Sequence, residues 1–568
     1  MNGDDDFKGA VLSALHQPLD EAQEDEIDDA PSPPDESVNL EIVKACAALD
    51  LSDTDNGVRL RRHFGGDLVA ISLDEETGGV WAHWDGRRWD RENGAAGALR
   101  LAQRVGPLIA LESEYLGASD AEKRVLDEAE PLYELDDPSK AQLKTLRQAG
   151  EIQNRIGKRR TRRFSFGVSS KNAARVNAML AMAAPHMRRP ASAFNAEPLR
   201  LVTQTHTLEF EVGDDLDCPD PAVKRRKASV RAVPEFRREH YVTGVSPCDY
   251  DPGAAAPKFM AFLEETMPDV DLRRTLQQYC AGGLLGVLEQ RVMYHYGTGA
   301  NGKSVFLAVL AAVVGPSLCV SLPKETLMGQ GERGAGQASP DLVRLLGKRA
   351  LIVSELKDGE EMREDLVKRL TGGDPMVVRG LYESFLEFPN VATPHMSGNG
   401  QPKITGGDEG IWRRLLVMHW SVTIPEERRR DFNEIVADLL TERSGVLNWL
   451  IEGVVDYLEN GLVVAEAARQ ATAEYRGEMD QVREFRTHCL VAAPGASVQA
   501  NRMYAAYQAW AKASARAEYS GTRFGKELKR WVKRDETGSV RRYLNVDLTE
   551  EAARRIDGDP RGSWTTES

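Results

Sequence analysis

Eight consecutive residues, Gly297-Thr298-Gly299-Ala300-Asn301-Gly302-Lys303-Ser304, satisfy the pattern G-x-x-x-x-G-K-[ST] without a mismatch. The chemistry of that pattern is anion binding. Glycines let backbone N–H groups converge on a phosphate, the lysine adds a positive charge for the outer phosphates, and the serine hydroxyl is a ligand for Mg²⁺. The apolar run Val292-Met293-Tyr294-His295-Tyr296 before it reads as a short buried strand. Val305-Phe306-Leu307-Ala308-Val309-Leu310 after it reads as a helix start. Strand, loop and helix N-terminus predict a cradle for ATP. Lys303 would reach the β- and γ-phosphates, and Ser304 would hold Mg²⁺.

Three further segments have residue types that suit phosphate chemistry. Arg349-Ala350-Leu351-Ile352-Val353-Ser354-Glu355 is an apolar strand ending in an acid, so Glu355 is placed to polarise an attacking water beside Mg²⁺. An acidic pair is the usual arrangement there, and Ser354 occupies its first position; apolar strands ending in Glu are also common. Met396-Ser397-Gly398-Asn399 closes a second strand-like run, Asn390 to His395. Asn399 at its tip can contact a γ-phosphate and water, although Asn399-Gly400 is equally a turn signal. Gly410-Ile411-Trp412-Arg413-Arg414 then supplies an arginine pair. It suits an arginine finger, or a surface pair packed on Trp412.

Lys368-Arg369-Leu370-Thr371-Gly372-Gly373-Asp374, Arg379-Gly380-Leu381-Tyr382, Phe385 with Phe388, Asn399 and Gly410 to Arg414 follow one another in a known order. Over about residues 195–425 this series resembles superfamily 3 helicases of the phage, plasmid and poxvirus primase-helicase branch. Ser-Glu commonly stands at the Walker B position in that branch. The resemblance implies an AAA+-like ring, a hexamer, with ATP between subunits. It also implies movement along single-stranded DNA, 3′ to 5′, and unwinding of forked DNA. Asn399 would be sensor 1, and Arg413 or Arg414 the finger offered to a neighbour. Asp374 to Phe388 would be a hairpin facing the channel, with strands Met376 to Arg379 and Phe385 to Phe388. Arg379 and Tyr382 are its DNA candidates, for phosphate pairing and base stacking. A structural salt bridge is the competing role for Arg379. Lys368 is a further candidate, with a solvated helix face as its alternative.

The 568 residues are enough for about three or four domains. The expected fold is α/β: an AAA+-like phosphate-loop motor preceded by an α+β region and followed by a winged-helix domain. The expected division is an acidic, proline-bearing, largely disordered arm at 1–56, an α+β and helical region at 57–190, a lead-in domain at 191–280 and the motor core at 281–425. A helical linker at 426–483, the winged-helix domain at 484–550 and a tail at 551–568 complete it. In the first region Leu68 to Ile71 and Val80 to Trp84 read as strands flanking a 75–79 turn, and Trp84 to Trp89 as a hairpin tip. Residues 97–190 read as mainly helical, 198–212 as strand, 256–288 as two helices, and 328–340 as a mobile glycine-rich span. In the last domain Met503 to Trp510 reads as a helix with an aromatic stripe, turned toward the core. Thr522 to Lys533 reads as a second, basic helix and Ser539 to Val546 as a wing strand. Arg523, Lys526, Lys529, Arg530, Lys533 and Arg534 are candidates for phosphate contacts, or a solvated face.

Net charge, −15, is a poor guide to partners. Residues 1–58 hold sixteen Asp and Glu against two Lys, which is −14, so the remainder is near neutral. Within that remainder Arg155 to Arg163, Lys224 to Lys227 and residues 501–546 concentrate basic charge. The cysteines form no C-x-x-C pair, and Met1 to Phe7 lacks a signal-peptide pattern, which predicts free, mostly buried thiols in a reducing cytoplasm; the resemblance implies that of a bacterium or a phage-infected host cell. No apolar run reaches the ~18 residues of a membrane span. No strand-borne Asp-x-Asp with a following His appears in 57–190, and Asp215-Leu216-Asp217 reads as a charged turn. The expectation is therefore a helicase without primase activity, partnered by a separate primase or replication protein, with the acidic arm as a docking or DNA-mimicking segment. The alternative is an ATPase that remodels or switches nucleoprotein complexes, including in defence against phage, without unwinding.

Overall fold

The computed structural model describes residues 38–71, 80–215, 225–287, 289–329, 338–380, 385–404, 409–514, 516, 518–535, 537 and 540–558. The described residues begin earlier than the expected arm boundary at 56. Leu40–Cys46 and Asp53–Phe64 are helices, capped by the side chains of Asn39 and Ser52. Val43, Cys46 and Leu60 are fully buried, so this end of the acidic stretch carries apolar residues at helical spacing that fold into the next unit.

That unit contains β1 (Leu68–Ile71), β2 (Val80–Trp84), β3 (Trp89–Asp90) and β4 (Arg188–Arg189), in the order β3-β2-β1-β4. Trp84 pairs with Trp89 across the expected hairpin tip. The predicted 75–79 turn lies outside the described residues. Four helices follow β3: Gly94–Leu111, Asp120–Ala129, Lys140–Ser169 and Ala173–Ala183. Their interior holds one buried ion cluster. The Glu112 carboxylate accepts from Arg59 Nε at 2.8 Å and from Arg59 Nη2 at 3.0 Å, and also pairs with Arg163. The same two arginines donate to the carbonyls of Ala47 and Leu49, which ties the leading segment down. Part of the basic run 155–163 is therefore structural: Arg159 pairs with Glu122 at 2.8 Å and Arg160 donates to the Leu116 carbonyl.

The lead-in unit is a three-stranded antiparallel sheet of β5 (Arg200–Val202), β6 (Thr207–Asp214) and β7 (Arg226–Val233). β7 was not expected, because its start lies in the Lys224 to Lys227 charge cluster. Of the Asp215-Leu216-Asp217 turn only Asp215 is described, and its N–H donates to the Arg225 carbonyl at 2.9 Å. Two helices, Pro257–Thr266 and Val270–Leu285, lead into the motor as predicted.

The motor sheet holds β8 (Val292–Tyr296), β9 (Cys319–Ser321) and β10 (Ala350–Leu356). After it comes a separate antiparallel pair, β11 (Pro375–Arg379) and β12 (Phe385–Pro389). β13 (Thr393–Gly398) and β14 (Leu415–His419) complete the sheet. The five sheet strands are all parallel, in the order β14-β8-β13-β10-β9. Near-continuous burial of these strands is what a sheet covered on both faces requires. β13 starts later than the predicted Asn390 to His395 run. Asn390 is instead a buried anchor, donating to the Leu370 carbonyl at 2.7 Å. Of the glycine-rich 328–340 span, 330–337 lie outside the described residues; Met328 pairs with Met362 in an isolated bridge.

Helices Phe432–Leu440, Arg443–Asn460 and Glu466–Glu478 form the linker. The last unit holds β15 (Leu490–Gln499), β16 (Arg534–Asp535) and β17 (Arg542–Leu548), with helices Gln481–Cys489, Ala500–Ala513 and Gly521–Leu528. Its aromatic stripe faces inward: Phe485, Tyr507, Trp510 and Phe524 are buried together. Two expectations are corrected. β15 runs between the first two helices and pairs with β17, and the basic helix ends at Leu528 rather than Lys533. The chain must turn there to bury Val532 and to bring Arg534 beside Tyr543. Lys529, Arg530, Lys533 and Arg534 therefore follow the helix.

Replacing Glu112 with Gln would leave two buried guanidinium groups short of their counter-charge. A loss of about 3–5 kcal/mol of stability is expected in chemical denaturation. A loss under ~1 kcal/mol would show that Arg59 and Arg163 are satisfied by backbone carbonyls alone.

Candidate functional site: a phosphate loop at the sheet edge

A parallel sheet brings the C-terminal ends of all its strands to one edge, where ligands of open α/β sheets bind. The phosphate loop follows β8. Asn399 follows β13, the neighbour of β8, and Glu355 lies near the end of β10, the neighbour of β13. Residues far apart in sequence are thus set side by side by strand order.

The loop is fixed by close backbone approaches. A Cβ at Gly297 would lie 2.2 Å from Asn301 Nδ2 and 2.6 Å from the Trp420 carbonyl oxygen. Gly302 has φ +84° and precedes the helix Lys303–Val314; a Cβ there would lie 2.7 Å from Thr266 Cγ2. Asn301 Nδ2 donates to the Trp420 carbonyl at 3.2 Å, and Ile424 N donates to the Ala300 carbonyl at 2.7 Å. The chain after β14 therefore backs the loop. Beneath it, Trp420 Nε1 donates to His295 Nδ1 at 3.2 Å. An indole N–H can only donate, so His295 carries its proton on Nε2 and gives it to His395 Nδ1 at 3.1 Å. Burial holds both imidazoles neutral, with the His395 pKa lowered to about 3.

Lys303 is 4% exposed. Its Nζ donates to the Gly297 carbonyl at 2.9 Å, to Asn301 Oδ1 at 3.1 Å and to Asn399 Oδ1 at 2.9 Å. These acceptors are all neutral, so burial is not offset by a carboxylate and lowers the ammonium pKa to about 8. Thr298 and Ala300 are exposed along the loop, and Ser304 is half-buried at the helix start.

Glu355 has φ +66°, a left-handed conformation that is uncommon for a non-glycine residue. The register of β10 with β13 shifts between Val353 and Leu356, so Ser354 and Glu355 sit in an irregularity that re-aims their side chains. Ser354 Oγ and Glu355 Oε1 are buried with no hydrogen-bond partner among the described residues. An oxygen set of this kind fits a hard divalent cation or a water. The loop beyond Glu355 is tied to the loop beyond Asn399: Gly359 N donates to the Gln401 carbonyl and Lys403 N to the Glu360 carbonyl. Tyr294 donates its hydroxyl to the Gly400 carbonyl.

The arginine pair divides. Arg414 Nη1 donates to the Gly410 carbonyl at 2.8 Å, and its Nε is buried. Arg413 is exposed, at the end of the short helix Glu409–Trp412. Among the DNA candidates, Arg379 lies on the expected hairpin with its guanidinium 5.5 Å from the centroid of Phe385, a ring 56% exposed. Tyr382 lies outside the described residues. Lys368 stands 3.9 Å from Glu364 on its own helix. In the last unit Arg523 stacks 3.6 Å over Tyr519, and Arg530 pairs with Glu527 at 2.5 Å and approaches Glu409 at 3.7 Å. Lys526 and Lys529 are exposed.

Sequence reading missed one wall of the site. A cavity of about 610 Å³ adjoins Gly299 to Val305, lined on its apolar side by Phe262, Phe432, Ile435 and Leu439. Arg428, Arg429 and Arg430 border it, and Arg428 is held by Glu265 at 2.9 Å. The triplet and the helical spacing of Phe432, Ile435 and Leu439 were the available signals.

Residues 57–268 match the family model described as D5 N terminal like. A putative helicase, L207/L206, of Acanthamoeba polyphaga mimivirus is 27% identical over 241 residues, covering 39% of this chain and 25% of that protein. Putative helicase 022R of Frog virus 3 is 25% identical over 274 residues, 45% of this chain and 28% of its own length. Primase D5 of Fowlpox virus is 25% identical over 186 residues, 31% of this chain and 23% of its own. The chain thus spans about a quarter of the length of the curated relatives it matches. These similarities support the primase-helicase branch. Among solved structures, the apo C-terminal region of NrS-1 is similar at 11% identity with a TM-score of 0.35, over 60% of this chain and 96% of that one. No helix among the described residues is long and apolar enough to cross a membrane.

Phosphate binding should raise the depressed Lys303 pKa, so the protein should take up protons as it binds nucleotide near or above pH 8. Affinity should then fall as pH rises through about 8. Calorimetry in two buffers of different ionisation enthalpy at about pH 8.5 should read an uptake of up to about one proton, absent in Lys303→Met. An enthalpy independent of buffer would contradict the assignment.

Proposed function

We propose that this chain is an ATP-driven motor on single-stranded DNA, a helicase of the superfamily 3 type that assembles as a hexameric ring. The observation that carries the reading is the bond from Lys303 to Asn399, which joins the phosphate loop to the tip of the adjacent strand. The strand order, with Glu355 one strand beyond, supports an AAA+-like motor. Gly297 to Ser304 would hold the triphosphate of ATP, and Lys303 would exchange its neutral acceptors for the outer phosphates. Asn399, released from Lys303, would face the γ-phosphate. Glu355 would orient the attacking water and accept its proton. Ser304 and Glu355 would hold Mg²⁺, which when bound neutralises charge developing on the phosphates. The apolar wall at Phe262 and Phe432 is suited to a nucleobase.

Arg413 is the better finger for a neighbouring subunit, because it is exposed while Arg414 is tethered to its own helix. On the DNA side, the exposed Phe385 with Arg379 above its ring offers a stacking surface and a phosphate partner, and Tyr382 would be a further base-stacking residue. Lys368 is the weakest of these contacts, since Glu364 competes for it. The last unit, helices around a three-stranded sheet, supports a winged-helix reading in which Arg523, Lys526, Lys529 and Arg530 meet phosphates. No primase activity is proposed for this chain; a separate primase or replication protein would be a partner.

Steady-state ATP hydrolysis with and without single-stranded DNA tests the reading. DNA should stimulate turnover, and Lys303→Ala should abolish it. Glu355→Gln should keep nucleotide binding and lose about 10²-fold or more in kcat. Turnover indifferent to DNA would favour a remodelling or switching ATPase instead. For the finger, Arg413→Ala should cost about 10³-fold in kcat. Mixing Arg413→Ala with Lys303→Ala chains should restore part of the activity; failure of the mixture would argue against action between subunits.

A further inference from the structure

We propose that the chain carries a second phosphate-binding pocket, centred on Arg91 and Arg344, at the pole of the motor sheet opposite the phosphate loop. The inference is independent of the ATP reading. A cavity of about 510 Å³ lies where the first α/β unit meets the N-terminal ends of β9 and β10. That volume falls within the ~300–1,000 Å³ typical of small-ligand sites. Arg88, Arg91, Arg344 and Lys348 line it, against a single acid, Glu92.

Two of the four cations are already neutralised. Arg88 pairs with Asp85 at 3.3 Å and Asp90 at 3.6 Å, and Lys348 pairs with Glu92 at 2.6 Å. Arg91 differs. Its Nη1 donates to the Leu346 carbonyl at 3.1 Å, and its Nε is buried with no partner among the described residues. No carboxylate among the described residues stands within ion-pair distance of it. Taking a guanidinium out of water without a counter-charge is costly. Burial outweighs the more distant charge of Glu92 and depresses its pKa to about 10. Arg344 is exposed on the same cavity wall. Thr243 and Ser317 also line the cavity; Ser317 Oγ already donates to the Val245 carbonyl at 2.9 Å, whereas Thr243 Oγ1 accepts from Asn195 Nδ2 at 2.8 Å and keeps its own proton to donate. A guanidinium with an unpaired Nε–H, a second arginine and the Thr243 hydroxyl recognise a tetrahedral oxyanion, a phosphate group, from either a free phosphate compound or a nucleic-acid backbone.

The test uses the full chain with Lys303→Ala, which disables the phosphate loop, and pyrophosphate as the probe in titration calorimetry. Saturable binding near one equivalent is expected, with Kd raised about tenfold or more by the added Arg344→Glu. Arg344 is on the surface, so this variant should fold; Arg124→Glu, at an exposed site elsewhere, should leave Kd unchanged. Absence of saturable binding, or a Kd indifferent to Arg344→Glu, would overturn the proposal. A single-stranded oligonucleotide that displaces pyrophosphate in an Arg344-dependent manner would support the pocket with a backbone phosphate as its source. Arg344-dependent binding that the oligonucleotide does not displace would support it with a free phosphate compound as its source.

Discussion

A buried ammonium without a carboxylate is the constraint around which the site is arranged. Lys303 lies at the first position of a helix buried on nearly every face, so its side chain has little access to water. Three neutral oxygens, from Gly297, Asn301 and Asn399, hold it. Each belongs to a different piece of local structure, and each must be placed to within a hydrogen bond. Gly297 is positioned by β8, Asn301 by its bond to the Trp420 carbonyl beyond β14, and Asn399 by β13. Three strands of the sheet therefore converge on one cation. A triphosphate would supply the charge that these neutral groups lack, and the ammonium would then be drawn away from Asn399.

The same arrangement indicates how a change at the phosphate loop can reach other parts of the chain. The loops following Glu355 and Asn399 are bonded to one another through backbone groups. Arg379, on the β11–β12 hairpin, accepts a backbone bond from Ser339 at 2.7 Å. The short helix that ends just before Arg413 begins at Glu409, which is bound by Arg476 of the linker and approached by Arg530 of the last unit. The site strands, the hairpin, the Glu409–Trp412 helix and the linker share one core that includes Val353, Met376, Phe388, Ile411 and Tyr475, and polar contacts at Glu409 join it to the last unit.

Local chemistry was legible in the sequence where it was self-contained. The phosphate loop, the strand before it, the hairpin strands 376–379 and 385–388 and the inward aromatic stripe at Tyr507 and Trp510 each follow from a motif or a period within a few residues. What escaped depended on distant partners. β7 begins in a run of charges and becomes a strand only because β6 lies beside it. β15 contains Pro494 and Gly495 and pairs with β17 through a register shift. The helical character of residues 40–46 was masked by the acidic composition around them. The wall formed by Arg428 to Arg430 and Phe432 belongs to the site only through tertiary packing. The distinction between Arg413 and Arg414 likewise rests on which guanidinium finds the Gly410 carbonyl, and no property of the dipeptide decides that.

The most direct measurement is displacement of one strand from a forked DNA duplex by the full chain. The account predicts ATP-dependent displacement by the wild-type chain and none by Glu355→Gln, with DNA binding retained in that variant. ATP turnover with no strand displaced, on forks of either polarity, would contradict it.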